Sequence, residues 1–94
     1  MSVVIIGGND RMEGQYRDIC KRCGCRAKVF TQMCGSMKDQ IGTPDLMILF
    51  TNTVSHKMIN CAMIEARRKN IRIERCHSSS ASALKSIMEK HARV

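Results

Sequence analysis

The spacing of apolar residues changes period several times along the chain, and each change predicts the end of one element and the start of another. Val3-Val4-Ile5-Ile6 is a short β-branched run that stops at Gly7-Gly8, as a strand does at a tight turn. Beyond it the apolar positions are Met12, Tyr16, Ile19, Cys20 and Cys23, spaced i, i+4, i+7, i+8 and i+11. Those positions share one face of a helix, with Asp10 as its expected N-cap and Gly24 as its stop. A second strand is expected over residues 27–33 and a short helical piece over residues 36–41, closed by Gly42-Thr43-Pro44.

The third run, Leu46-Met47-Ile48-Leu49-Phe50, is apolar at every position. Continuous runs of this kind belong to strands buried on both faces, as in parallel sheets covered by helices. Residues 55–69 then read as a helix with Met58, Ile59, Ala62, Met63 and Ala66 inward. Its last turn, Arg67-Arg68-Lys69, suits the negative end of a helix dipole. Ile71-Arg72-Ile73-Glu74 alternates like a partly exposed edge strand, and Ser78-Ser79-Ser80 caps a last helix with Ala81, Leu84, Ile87 and Met88 on its apolar face. There is no internal repeat, linker or low-complexity tract. Residues 1–94 therefore read as a single three-layer α/β domain, Rossmann-like or flavodoxin-like, with a four-stranded parallel sheet in the order 2-1-3-4.

That order locates a site before any motif is invoked. Open parallel sheets bind ligands beyond the carboxyl ends of their strands, where the strand order reverses. The loops expected there are Gly7-Gly8-Asn9-Asp10-Arg11 and Thr51-Asn52-Thr53-Val54-Ser55-His56, with Cys76-His77-Ser78-Ser79-Ser80 beside them. Gly7-Gly8 also serves a plain strand-to-helix turn. It is not G-x-G-x-x-G, no acidic residue ends the second strand to hold a ribose, and no Walker lysine motif is present. The third strand ends in Thr51-Asn52 rather than an acidic residue, which excludes a phosphoacceptor receiver domain. Ser78, Ser79 and Ser80 exceed what capping alone requires. Helix N-termini present free amides and a partial positive charge, so an anion is the expected occupant, with Thr51, Thr53 and Ser55 assisting.

His56 and His77 fall on the same rim, while His91 lies near the end of the last helix. His56 and His77 are candidate ligands for a transition metal or haem iron; equally, they suit hydrogen bonding to an anion with titration near neutral pH. No carboxylate pair and no Ser/His/Asp arrangement accompanies them, so the reading leans away from an enzyme. Cys20-Lys21-Arg22-Cys23-Gly24-Cys25 contains C-x₂-C, half of a zinc or iron–sulfur site, with Cys34 as a candidate further thiolate. Cys20 and Cys23 also lie on the apolar helix face, where a thiol packs as a small hydrophobe, and packing is the favoured reading.

Composition narrows the partners. Sixteen Lys plus Arg against eight Asp plus Glu give a net charge of +8, which favours anionic partners. Aromatic content of 3% is too low for base-stacking platforms, so nucleic acid, through Lys21, Arg22, Arg26, Arg67, Arg68 and Lys69, is the less favoured partner. No apolar stretch approaches the roughly 20 residues of a membrane span, and "MSVVIIGG" lacks the features of a signal peptide. A cytoplasmic chain with reduced cysteines is expected. Two edge strands on a short chain leave a homodimer open.

The set "VVIIGGND…Y", "PDLMILFTNTVSH" and "CHSSSASAL" resembles a small bacterial family catalogued as a domain of unknown function. Its members look like single α/β domains with GG followed by His or a similar polar residue, then a Tyr, a T-(N/D)-x-V-S-H loop and a Ser-rich start to the last helix. This chain departs at Asn9, where many relatives have His; that leaves His56 as the main candidate for any metal or haem role. The resemblance implies a Rossmann-like fold and a site at Asn9, Tyr16, Asn52, Ser55, His56 and Ser78 to Ser80. The expectation is thus a binding or sensing module that holds a small anionic ligand. Gly7, Gly8 and the serine-rich helix start are expected to supply backbone donors, and Arg11 and His56 charge. A haem- or metal-binding module and a basic nucleic-acid-binding domain are the alternatives.

Overall fold

A computed structural model of the chain describes residues 1–32 and 35–92. Strands β1 (Ser2–Ile6), β2 (Arg26–Phe30), β3 (Leu46–Phe50) and β4 (Arg72–Cys76) form one parallel sheet in the order β2-β1-β3-β4. Helix α1 (Glu13–Arg22) follows a 3₁₀ turn over Asp10–Met12; α2 (Met37–Ile41), α3 (His56–Lys69) and α4 (Ala81–Ala92) complete the alternation. The fold class and strand order match the expectation from the sequence.

Strand pleating explains why β1 and β3 have no polar side to spare. Val3 and Ile5, with Leu46, Ile48 and Phe50, enter one core together with Tyr16, Ile19 and Cys20 of α1 and Leu84, Ile87 and Met88 of α4. Val4 and Ile6, with Met47 and Leu49, enter a second core against Met37 and Ile41 of α2 and Met58, Ala62 and Ala66 of α3. All five residues of β3 are buried. Each large aliphatic side chain so buried contributes roughly 1.5–3 kcal/mol before the entropy of ordering it is subtracted. The edge strands are mixed instead: β2 exposes Arg26 and Lys28, and β4 exposes Arg72 and Arg75.

Several element ends depart from the pattern-based expectation. The second strand begins at Arg26 and ends at Phe30, short of residues 31–33, and Met33 and Cys34 lie outside the described residues. The fourth strand runs on to Cys76, because Thr51 extends the pairing through its amide to the Cys76 carbonyl oxygen at 2.9 Å. The first helix is broken: Asp10–Met12 is a 3₁₀ turn capped by Asn9, whose side-chain oxygen accepts the Arg11 amide at 2.9 Å. Asp10, expected as the cap, turns its carboxylate to the Thr31 hydroxyl and the Gln32 amide instead.

The helix stops follow local chemistry. At the end of α1, Gly24 (φ +74°) turns the chain so that its amide reaches the Lys21 carbonyl and the Cys25 amide reaches the Cys20 carbonyl at 2.9 Å. This is a Schellman closure. Asn70 (φ +55°) closes α3 in the same way, with the Ile71 amide returning to the Ala66 carbonyl at 2.8 Å. Among the described residues, no helix is long and apolar enough to cross a membrane.

Candidate functional site

The loops after β1, β3 and β4 meet at the carboxyl edge of the sheet, where β1 and β3 lie side by side and their connections run to opposite faces. Every rim residue singled out in the sequence falls in these loops or directly beneath them, and the loops are bonded to one another. The Gly8 amide donates to the Thr53 hydroxyl oxygen at 2.8 Å, and that hydroxyl leans on the Phe50 carbonyl at 3.3 Å. Thr51 binds the Cys76 carbonyl with its amide, which ties the β3 loop to the end of β4. Asp10 clamps Thr31 and Gln32 at the end of β2.

Gly7 and Gly8 are required by backbone geometry. Their φ angles are +98° and +93°, and a Cβ on Gly8 would sit 2.7 Å from the Tyr16 ring. A Cβ on Gly7 would lie 3.0 Å from the Phe50 carbonyl oxygen and 3.1 Å from Val54. Their amides are engaged within the fold: Gly7 donates to the Phe30 carbonyl at 2.8 Å, Gly8 to Thr53, and Asn9 to the Tyr16 hydroxyl oxygen at 3.3 Å. The expected anion donors of the first loop are thus occupied by its own packing.

Tyr16 lies beneath the rim, fully buried on α1 and tilted against Phe50 with ring centroids 5.3 Å apart. Its hydroxyl donates to the Ser79 carbonyl oxygen at 2.7 Å and lies 3.8 Å from the Met12 sulfur. One phenol therefore links the β1 loop to the β4 loop. Arg11, Asn52, His56 and His77 are exposed on the rim.

Two helices start here. Ser55 caps α3, its hydroxyl oxygen accepting the Met58 amide at 3.3 Å, and the Ile59 amide bonds the Ser55 carbonyl. His56 is the first residue of that helix. Ser80 caps α4 by accepting the Ala83 amide at 3.2 Å, and Ser78 supports it by accepting the Ser80 amide at 3.3 Å. The amides of His56, Lys57, Ala81 and Ser82 precede these capped positions and have no acceptor within their own helices.

The cysteine cluster belongs to the core rather than the rim. Cys20 and Cys25 are buried and Cys23 packs half-buried against them. Burial, reinforced by the neighbouring Cys25 and Cys23 thiols, pushes the Cys20 thiol from the ordinary 9.0 up to about 12. Cys34 lies outside the described residues. Among the described residues, no three His, Cys, Asp or Glu side chains converge as a metal site. His91 is held away from the rim, its ring nitrogen 2.8 Å from the Glu74 carboxylate.

Two features escaped the sequence reading. The Asp10 clamp joins residues 21 and 22 positions apart and leaves no local signal. Glu65 is buried to 1% on α3, although its spacing from Met58 and Ala62 already places it on the inward face.

These features define a Rossmann-like parallel α/β domain with its loops gathered at one sheet edge. The chain belongs to a family described as "Uncharacterized protein conserved in bacteria (DUF2325)", whose model matches residues 2–91. Among solved structures it is similar to a de novo designed Rossmann fold protein, at 15% identity and a TM-score of 0.68 over 100% of both chains. It is also similar to the lactose-specific IIB component domain of the phosphoenolpyruvate:carbohydrate phosphotransferase system from Streptococcus pneumoniae. That match has 17% identity and a TM-score of 0.60 over 96% of this chain and 88% of the other. No curated protein matches the chain. At these identities the likeness is one of fold.

Proposed function

We propose that the protein is a binding or sensing module that holds a small anionic ligand on the carboxyl edge of its sheet. The observation that carries this reading is the pair of serine-capped helix starts, α3 after β3 and α4 after β4, on adjacent strands of that edge. Each has first-turn amides with no acceptor in its own helix and a partial positive charge at the carboxyl edge of the sheet. His56, at the first position of α3, and Arg11 on the neighbouring turn add side chains that hydrogen-bond or neutralise an anion. The amides of Gly7, Gly8 and Asn9 shape the rim, and the helix amides do the holding. Asn52, Ser78 and Ser79 border the same space. The net charge of +8 adds long-range attraction for such a ligand. The similar lactose-specific IIB domain belongs to a phosphotransferase system named for phosphoenolpyruvate and carbohydrate.

Thermal-shift titration with inorganic phosphate, pyrophosphate and nucleoside mono- and diphosphates tests the reading. A rise in melting temperature that is lost in His56→Ala and weakened in Arg11→Ala is expected. If none of these anions shifts the melting temperature at millimolar concentration, the proposal fails.

A further inference from the structure

The amino edge of the sheet, opposite the rim, gathers cations from four elements. Helices α1 and α3 return there from the rim and end in Lys21-Arg22 and Arg67-Arg68-Lys69. Arg26 opens β2 and Arg72 opens β4, the two outer strands. The pleat sets these two arginines on opposite faces. Lys28, two residues beyond Arg26, reaches the Gln40 carbonyl of α2 at 2.9 Å, whereas Glu74, two beyond Arg72, meets His91 of α4 at 2.8 Å. Helix α1 shares the face of α4, and α3 shares the face of α2, so positive charge stands on both faces and both flanks of the edge. Lys21, Arg26, Arg67 and Arg72 are exposed, and their side chains have no ion-pair or hydrogen-bond partner among the described residues. Asp18 is occupied by Arg22 at 3.2 Å, and Asp45 accepts the Ser2 amide at 2.7 Å.

Offsetting helix dipoles does not account for this charge. A helix end carries roughly half a negative charge, yet α3 ends in three cations, and Arg26 and Arg72 start strands. We propose that the amino edge binds double-stranded DNA through its phosphate backbone, without reading the bases. Three strand spacings separate the starts of β2 and β4, roughly 14 Å, which is comparable with the major-groove width of about 12 Å. Cations on the two flanks of the edge therefore match the phosphate rows on the two sides of that groove. A single strand is the poorer partner. Its usual binding sites stack bases on aromatic rings, and Tyr16, Phe30 and Phe50 are all buried in the core. A duplex keeps its bases stacked on each other and asks only for charge at the backbone. This surface is separate from the rim, where the small anion is placed, so the two can be tested independently.

The test is fluorescence anisotropy with labelled duplexes of roughly 20 base pairs and two unrelated sequences, titrated with the full chain at several salt concentrations. Both duplexes are expected to bind within about threefold of each other, with affinity falling linearly on a log–log plot against salt. Arg26→Ala, Arg67→Ala and Arg72→Ala are each expected to weaken binding and to reduce that slope by roughly one. Lys85→Ala removes the same charge from the first half of α4, outside the edge, and is expected to change the slope by less than half as much. All four positions are exposed, and matched thermal melts confirm that the variants are folded. Four results would each overturn the proposal. The first is no duplex binding at about 20 mM salt. The second is an effect of Lys85→Ala equal to that of the edge variants. The third is tighter binding to a single strand of the same length. The fourth is binding to phosphatidylserine vesicles, lost in the edge variants, with none to the duplexes.

Discussion

The Tyr16 hydroxyl and the Ser79 carbonyl oxygen are 2.7 Å apart, although 63 residues separate them in the chain. The same hydroxyl accepts the Asn9 amide at 3.3 Å, so a single oxygen on α1 sets the spacing between the first and last loops of the rim. Phenylalanine keeps the ring and its packing on Phe50 while leaving both backbone groups without their partner. Tyr16→Phe is expected to lower stability in urea unfolding by about 1–2 kcal/mol.

Gly8 and Gly14 make a matched pair of opposite sign. Gly8→Ala combines a positive φ with a Cβ 2.7 Å from the Tyr16 ring, and is expected to cost more than about 1 kcal/mol and disturb the rim. Gly14 lies in α1 with nothing within 4 Å of an added Cβ. Gly14→Ala is expected to raise stability by about 0.5–1 kcal/mol. Parallel thermal melts decide both.

Glu65 is buried with both carboxylate oxygens lacking a hydrogen bond; Lys69 Nζ and Arg68 Nε approach one of them only to 3.6 and 3.7 Å. Lys69 has another acceptor in the Gly42 carbonyl at 2.8 Å, and Arg68 is solvated. Removing the carboxylate therefore strands no cation, and it removes the desolvation cost of a carboxylate that no hydrogen bond satisfies. Glu65→Met is expected to be neutral or stabilising by about 1 kcal/mol; a loss of stability in chemical denaturation would contradict this.

The raised Cys20 pKa makes an alkaline prediction. Unfolded thiols ionise near 9.0, whereas the folded one holds its proton up to about 12. Between those values the unfolded state binds fewer protons, so stability falls as pH rises through that window. Wild-type melting temperatures are expected to drop more steeply above pH 9 than those of Cys20→Ala, measured under reducing conditions.

Ser55 carries the cap of α3, and its loss removes a partner of the Met58 amide. Ser55→Ala is expected to lower stability by about 1 kcal/mol. The unfolding midpoint in urea checks it, and bound phosphate, if it occupies the freed helix start, narrows the gap to wild type.

The central strands were legible because burial on both faces leaves a run with no polar position, as in Leu46–Phe50. Their order followed from the handedness of the crossovers, and the polar positions of the edge strands agreed with it. Helix ends were legible where one residue decides them, as at Gly24 and Ser55. The edge strands were read less well at their ends, because Arg26 looks like a loop residue until a neighbouring strand supplies its pairing. Helix spacing placed Tyr16 on the apolar face with Ile19 and Cys20, and the structure buries it there; its hydroxyl bridge, 63 positions long, has no local signature. The rim loops were legible from topology, whereas the engagement of the Gly7, Gly8 and Asn9 amides depended on contacts to Phe30, Thr53 and Tyr16 that spacing does not reveal.

Arg26 and Lys28 on one outer strand, and Arg72 and Arg75 on the other, give the sheet two positively charged margins. Lengthening the sheet by strand addition from a second copy would set cation against cation at whichever margin was used. An acidic extended peptide would not meet that repulsion. Self-assembly into continuous ribbons is thereby opposed by charge, and a polyanion that screens both margins is the condition under which it becomes cheapest.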